Sequence, residues 1–343
     1  MNKDLLIILL VACAALLWLP LASAVCPPGG CGAGVDYWEN SAQDFISTDA
    51  PIVGVTQDSE MQTGSFVAGK PATLGSNTTD ATTAFQKNDR VEPGSRNGLF
   101  LMGEFLEPLA SISGPAVLVD VSDEHLQGSA HIKGAIEVPA KSFLYDNRSI
   151  RPVSEIRDIL GKAGISRDDR VVVYGSSFGS GEAAFAVWLL RYLGQKDVLA
   201  LDGGLDDWTA SNLPLETKKN LRAPTNYTPS LRPELLADYD YVNSGASQLV
   251  DARSFIDYGQ GRIKNALLIS SDQVLEGGRI RPGEDLNQTF ATLDRKRPVV
   301  VYSDDLYKTS LVWYALLLMG YDSRIYTWRD WQAHVKTRTY TIK

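Results

Sequence analysis

The chain has 343 residues, 44% of them hydrophobic, which excludes global disorder and leaves room for two domains with ordinary cores. A formal net charge of -8 makes nucleic acid a poor partner and a cationic protein surface a more natural one. The three histidines, His125, His131 and His334, are too scattered to suggest a metal site with the few cysteines, and no cofactor is expected.

Residues 5–24 form an apolar run behind Lys3 that ends in Ala22-Ser23-Ala24, the small-x-small pattern of a signal-peptidase site. Residues 1–24 are therefore expected to be a signal peptide; an uncleaved anchor is the alternative, since the run is about long enough to span a bilayer. After Lys3 the next basic residue is Lys70, whereas Asp36, Glu39, Asp44, Asp49, Asp58 and Glu60 come first. That asymmetry places the body outside the cytoplasm, in the periplasm or at the cell envelope. Membrane contact is expected only through this segment, uncleaved or lipidated. Leu10-Val11-Ala12-Cys13 resembles a lipoprotein processing box, although more apolar sequence follows it.

Cleavage after Ala24 would leave Cys26 and Cys31, in Cys26-Pro27-Pro28-Gly29-Gly30-Cys31. A tight Pro/Gly loop in an oxidising compartment favours a disulfide, with a reactive thiol, a metal-binding pair or attachment to a partner as alternatives. Haem attachment is excluded, because the spacing is wrong and no histidine follows. Residues 25–97 are rich in Gly, Ser, Thr, Asn, Asp and Gln, with short apolar patches such as Pro51-Ile52-Val53-Gly54-Val55, and read as a polar arm. It is either a flexible stalk or a segment laid on a partner.

From Gly98 the pattern changes to alternating strands and helices, and an internal repeat appears. The stretch from Leu118-Val119-Asp120 to His131-Ile132-Lys133-Gly134-Ala135-Ile136 aligns without gaps on Leu249-Val250-Asp251 to Arg262-Ile263-Lys264-Asn265-Ala266-Leu267. Val171-Val172-Val173-Tyr174 matches Val299-Val300-Val301-Tyr302, and the copies close on Asp207-Trp208 and Asp330-Trp331. The reading is two copies of one α/β domain, residues 98–216 and 234–335, each a parallel sheet covered by helices on both faces. Residues 217–233, with Pro224, Pro229 and Pro233, form the expected linker, and 336–343 a tail. Asp120, Asp251 and Arg253 are expected in ion pairs that hold the fold, and Trp188, Trp208, Trp313 and Trp331 at core or domain-interface positions.

The second Val-Val-Val-Tyr strand delivers Ser303 into a loop before an apolar helical run over residues 309–319. Ser303, Asp304, Asp305, Lys308 and Thr309 are thereby candidate members of an anion cradle built from backbone N–H groups and a helix N-terminus. The matching first-copy position is Gly175. The following Ser176-Ser177-Phe178-Gly179-Ser180-Gly181 lacks the lysine and spacing of a phosphate-binding loop.

Leu118-Val119-Asp120 with Ala130-His131-Ile132-Lys133-Gly134-Ala135-Ile136 resembles the opening signature of rhodanese domains. Tyr192-Leu193-Gly194 with Leu201-Asp202-Gly203-Gly204-Leu205-Asp206-Asp207-Trp208 resembles their closing signature. The tandem arrangement is similar to the thiosulfate and mercaptopyruvate sulfurtransferases. The resemblance implies a non-catalytic first copy and, in the second, a cysteine persulfide held by loop N–H groups. The cysteine position is occupied by Ser303 here, and by Gly175 in the first copy, and neither can carry a persulfide. Asp304 and Asp305 put negative charge where the anionic substrates would approach, at a cost of about 1 kcal/mol each. Leu306 stands where the family has a glycine, and Arg262 and Asn265 where it has histidine and glycine.

The expectation is an exported, catalytically silent tandem rhodanese-like protein, binding or scaffolding a protein partner at the cell envelope, in a redox or sulfur- or selenium-handling complex. A small sulfur-containing anion is a second class of ligand. The alternative is a sulfurtransferase or sulfur carrier that uses Cys26 or Cys31 as its thiol. A third reading is an anion sensor built on Ser303 and Lys308.

Overall fold

The computed structural model describes residues 95–110, 112, 114–124 and 129–341, with side chains to residue 335. The expected signal peptide, most of the polar arm with Cys26 and Cys31, and His125 lie outside the described residues.

The first repeat contributes β1 (Leu106–Glu107), β2 (Val117–Asp120), β3 (His131–Ile132), β4 (Ile136–Glu137), β5 (Arg170–Tyr174), β6 (Asp197–Leu201) and β7 (Leu215–Glu216). Five of these form a sheet in the order β1-β6-β5-β2-β4, and every pairing in it is parallel. β3 and β7 form a separate antiparallel ribbon. The second repeat contributes β8 (Gln248–Asp251), β9 (Leu267–Leu268), β10 (Leu275–Glu276), β11 (Arg279–Ile280), β12 (Val299–Ser303) and β13 (Ser323–Thr327). Its main sheet runs β13-β12-β8-β9, again all parallel.

The repeat seen in the sequence is a repeat in register. Leu118 pairs with Val172 in one sheet, and Leu249 with Val300 in the other. The β-branched runs of β5 and β12 are buried along their length because each is a central strand with helices over both faces. The Glu182–Tyr192 and Leu306–Leu318 helices that follow them pack on one another across the repeat boundary. One continuous apolar core therefore includes residues of both repeats, with Trp188 and Trp313 fully buried in it. Trp208 is buried in a satellite cluster of the first repeat, and Trp331 is half-buried.

The segment between the repeats is a strap rather than a loose tether. Thr225, Ser230 and Arg232 donate their backbone N–H groups to Gly161, Leu193 and Tyr192 of the first repeat. Tyr227 is buried and donates its hydroxyl to Gln195 Oε1 at 3.1 Å. The tail expected from residue 336 continues the Trp328–Thr341 helix. Among the described residues no helix is long and apolar enough to cross a membrane.

Candidate functional site

β12 carries Ser303 to the carboxyl edge of the second sheet, where it pairs in register with Thr327. The chain turns at once into the Leu306–Leu318 helix, so the loop is only Asp304 and Asp305 long. Ser303 Oγ donates to Asp304 Oδ1 at 3.1 Å and accepts the Asp305 N–H at 3.0 Å. Asp305 is the N-cap of the helix, and its Oδ1 accepts the Tyr307 N–H at 2.8 Å. Two of the N–H groups expected to cradle an anion, those of Asp305 and Tyr307, are thus bonded to the loop's own side chains, and a resident carboxylate sits at the helix N-terminus.

The structure places the Asp304 carboxylate against the Ser303 hydroxyl. A carboxylate is too weak a base to withdraw that proton at neutral pH without a further partner, and no histidine lines the site. Ser303 is buried to 2% exposure, and its hydroxyl works as a hinge pin of the turn.

The first-copy loop is filled differently. The Glu182 carboxylate, 6% exposed, folds back into it. Oε2 accepts the Ser176 N–H at 3.2 Å and the Ser180 hydroxyl at 2.9 Å, while Oε1 accepts the Asp123 N–H at 2.8 Å. A Cβ on Gly175 would lie 2.6 Å from Glu182 Oε2 and 3.2 Å from Glu182 Cβ. A side chain at this position, where the resemblance places the counterpart of Ser303, would have to displace the Glu182 carboxylate.

The two loops meet through Tyr307. Its ring lies 5.4 Å from that of Phe185, and its hydroxyl donates to Asp123 Oδ2 of the first repeat at 2.6 Å. Burial, and then that hydrogen bond, push the phenol above the ordinary tyrosine range. Gly181, at φ 81°, permits the approach: a Cβ there would stand 2.7 Å from Tyr307 O.

Ser303 and Asp304 open onto a cleft of about 360 Å³ between the repeats. The first repeat supplies Arg148, Ser149 and Ile150; the second supplies Leu236, Asp238, Leu306, Tyr326, Arg329 and Asp330 among others. Arg148 adopts φ 65° in a turn closed by the Leu144–Ile150 bridge, and its guanidinium lies 5.5 Å from the Tyr307 ring centroid. Arg329 donates to Asn147 O and so ties the two walls together. Two guanidiniums thus face the carboxylates of Asp238, Asp304 and Asp330, over apolar side chains. A small dianion gains little net attraction in such a setting.

Of the five loop candidates, Ser303 and Asp304 line the cleft, and Asp305 lines a side pocket of about 40 Å³ beneath Arg148. Lys308 is exposed and lines neither. Thr309 is fully buried and donates to Asp305 O at 2.9 Å inside the helix. Both lie beyond the loop because the helix begins at Leu306 and each residue in it turns by about 100°. Sequence reasoning did not identify Arg148, Arg329, Tyr326 or Glu182. The polar turn at Asp146-Asn147-Arg148-Ser149 was the one visible sign of the first.

Away from the cleft, Arg253 makes the expected pair with Asp251, donating from Nε at 2.9 Å and Nη2 at 2.6 Å, both residues buried. Asp120 accepts from the Ser122 N–H and hydroxyl. No group of three or more metal-ligating side chains occurs among the described residues.

The model of the rhodanese-like domain matches residues 104–211 and again 236–333. A putative thiosulfate sulfurtransferase of Mycolicibacterium smegmatis is 28% identical over 225 residues, 58% of this chain and 81% of that protein. A probable 3-mercaptopyruvate sulfurtransferase of Pseudomonas aeruginosa is 29% identical over 232 residues, 61% and 81% of the two chains. The sulfur carrier protein TtuD of Thermus thermophilus is 28% identical over 255 residues, 64% and 89%. Among solved structures, the 3-mercaptopyruvate sulfurtransferase SseA of Escherichia coli superposes with a TM-score of 0.57 at 18% identity, over 65% of this chain and 97% of its own. EanB with a persulfide and ergothioneine gives 0.61 at 20% identity, over 67% and 69%. With two matched domains, in register and with equivalent loops, the chain belongs to the rhodanese-like sulfurtransferase family.

Proposed function

We propose that the chain is an exported, catalytically silent member of this family that serves as a binding or scaffold component at the cell envelope. Its partner is a protein, in a complex handling redox, sulfur or selenium chemistry. The observation that carries this reading is the occupancy of both loops by the chain's own carboxylates, Glu182 in the first and Asp305 in the second. A thiol is absent from both delivered positions, so the persulfide route lacks its nucleophile, and the Ser176, Asp305 and Tyr307 N–H groups are already bonded to the chain's own side chains. The excess of carboxylates in the cleft supports the same reading, since thiosulfate is a dianion.

The rival reading is a sulfurtransferase or sulfur carrier in which Cys26 or Cys31 provides the thiol. The chain's similarity to a putative thiosulfate sulfurtransferase and to a sulfur carrier protein favours it. A thiosulfate:cyanide assay on the full chain separates the two. Silent cyanolysis in the wild type, with activity gained in Ser303→Cys, fits the binding reading. Wild-type activity that disappears in a Cys26→Ser, Cys31→Ser double variant overturns it.

A further inference from the structure

We propose that the Arg262–Lys264 edge of the second repeat docks an extended, acidic segment of a partner protein as an added antiparallel strand, led by a leucine-glutamate pair.

The first repeat supplies the template. There β7 lies antiparallel on β3, with Ile132 opposite Leu215 and His131 opposite Glu216. Lys133 N–H donates to Pro214 O, and Gly134 N–H donates to the Glu216 carboxylate at 2.6 Å. Leu215 packs against the small apolar cluster that contains Ile132 and Trp208. Trp208 closes the arrangement by donating Nε1 to Pro214 O at 3.0 Å.

The second repeat has the same platform without the strand. Ile263 N–H donates to Tyr302 OH at 3.1 Å, as Ile132 N–H does to Tyr174 OH, and Ala266 N–H bonds to Ile263 O as Ala135 N–H bonds to Ile132 O. Asn265, at φ 64°, reproduces the left-handed turn of Gly134, at φ 87°. Among the described residues nothing pairs with this edge. The Lys264 and Asn265 N–H groups and Trp331 Nε1, the counterparts of the groups that hold β7, are left without a partner there. A backbone segment with open N–H groups beside an apolar surface is a site for strand addition.

A groove of about 420 Å³ lies along it. Val242, Leu249, Leu267 and Trp331 give it an apolar floor suited to a leucine. Its charged lining residues are Lys264 and Arg297, with no carboxylate among the lining. Neither cation has a carboxylate partner among the described residues, in a chain whose net charge is -8. Ser247, 6% exposed, also lines the groove, and its buried Oγ has no hydrogen-bond partner. Cations, an orphan hydroxyl and open N–H donors suit a glutamate carboxylate and the carbonyls of an extended backbone.

This deepens the binding reading by giving the partner a surface, and it is tested apart from sulfur chemistry. The probe is a fluorescent, end-capped peptide with the 212–217 sequence, Asn-Leu-Pro-Leu-Glu-Thr, titrated into the full chain and followed by polarisation. Saturable binding below about 1 mM is expected. The Glu→Gln peptide should bind about tenfold more weakly, as should the wild-type peptide to Lys264→Glu. A Leu→Asp peptide, its leucine before the glutamate replaced, should not bind. Because the peptide variants leave the protein untouched, a folding defect cannot mimic these results. Three outcomes would overturn the proposal: no binding up to that concentration, equal binding of the Leu→Asp peptide, or a wild-type dimer in sedimentation that Lys264→Glu dissociates, which would make the occupant a second copy. A silent peptide titration leaves the cyanolysis result standing, and the reverse holds as well.

Discussion

The two strand-to-helix loops sit at equivalent places and hold their own carboxylates in different ways. In the first, Glu182 reaches back from the helix start and fills the space a side chain at Gly175 would need. In the second, Ser303 already carries a Cβ, and two donors, the Asp305 and Tyr307 N–H groups, are taken by a short turn and its cap, Asp305. The difference teaches that the two positions do not accept a thiol equally well. A cysteine fits at 303 with a change of one atom, whereas at 175 it evicts a buried carboxylate.

The largest expected effect sharpens that contrast. Gly175→Cys should destabilise the full chain by about 2–3 kcal/mol, because a displaced Glu182 leaves its charge and its donors unsatisfied. Ser303→Cys should cost less than about 1 kcal/mol. Urea denaturation of both variants checks this, and equal losses would break the comparison. A Gly175→Cys, Glu182→Ala double variant should recover part of the loss if the carboxylate is the cause.

The next effect concerns the cap. Asp305→Ala should lower stability by about 1 kcal/mol through loss of the Tyr307 N–H bond. Combined with Ser303→Cys, it should raise thiosulfate cyanolysis above that of Ser303→Cys alone, since it frees a donor and removes a negative charge. No gain would mean that the resident carboxylate does not block the second loop. The smallest effect is at the contact between the copies: Tyr307→Phe removes the bond to Asp123 and should cost about 0.5–1.5 kcal/mol, read in the same denaturation experiment.

The tandem α/β architecture was legible because its signals are local: β-branched strands, glycines after the helices, and paired Asp-Trp closures. Ser303 and Asp304 were legible for the same reason. The cleft's cations were not, because Arg148 and Arg329 face it from different repeats, and no periodicity links residues 148 and 329. Glu182 was overlooked because a glutamate at a helix start reads as ordinary dipole compensation, whereas here it turns inward. Lys308 and Thr309 were misplaced because the sequence does not announce that the helix begins as early as Leu306. The proline-marked linker was recognised, but burial of Tyr227 depends on the surface it crosses.

The most direct test of the account is intact-mass spectrometry of the full wild-type chain after incubation with thiosulfate or mercaptopyruvate. The account predicts no added sulfur on the wild type and an added sulfur on Ser303→Cys. Stable sulfur uptake by the wild type would contradict it, and its loss in the Cys26→Ser, Cys31→Ser double variant would assign the chemistry to the relocated thiols.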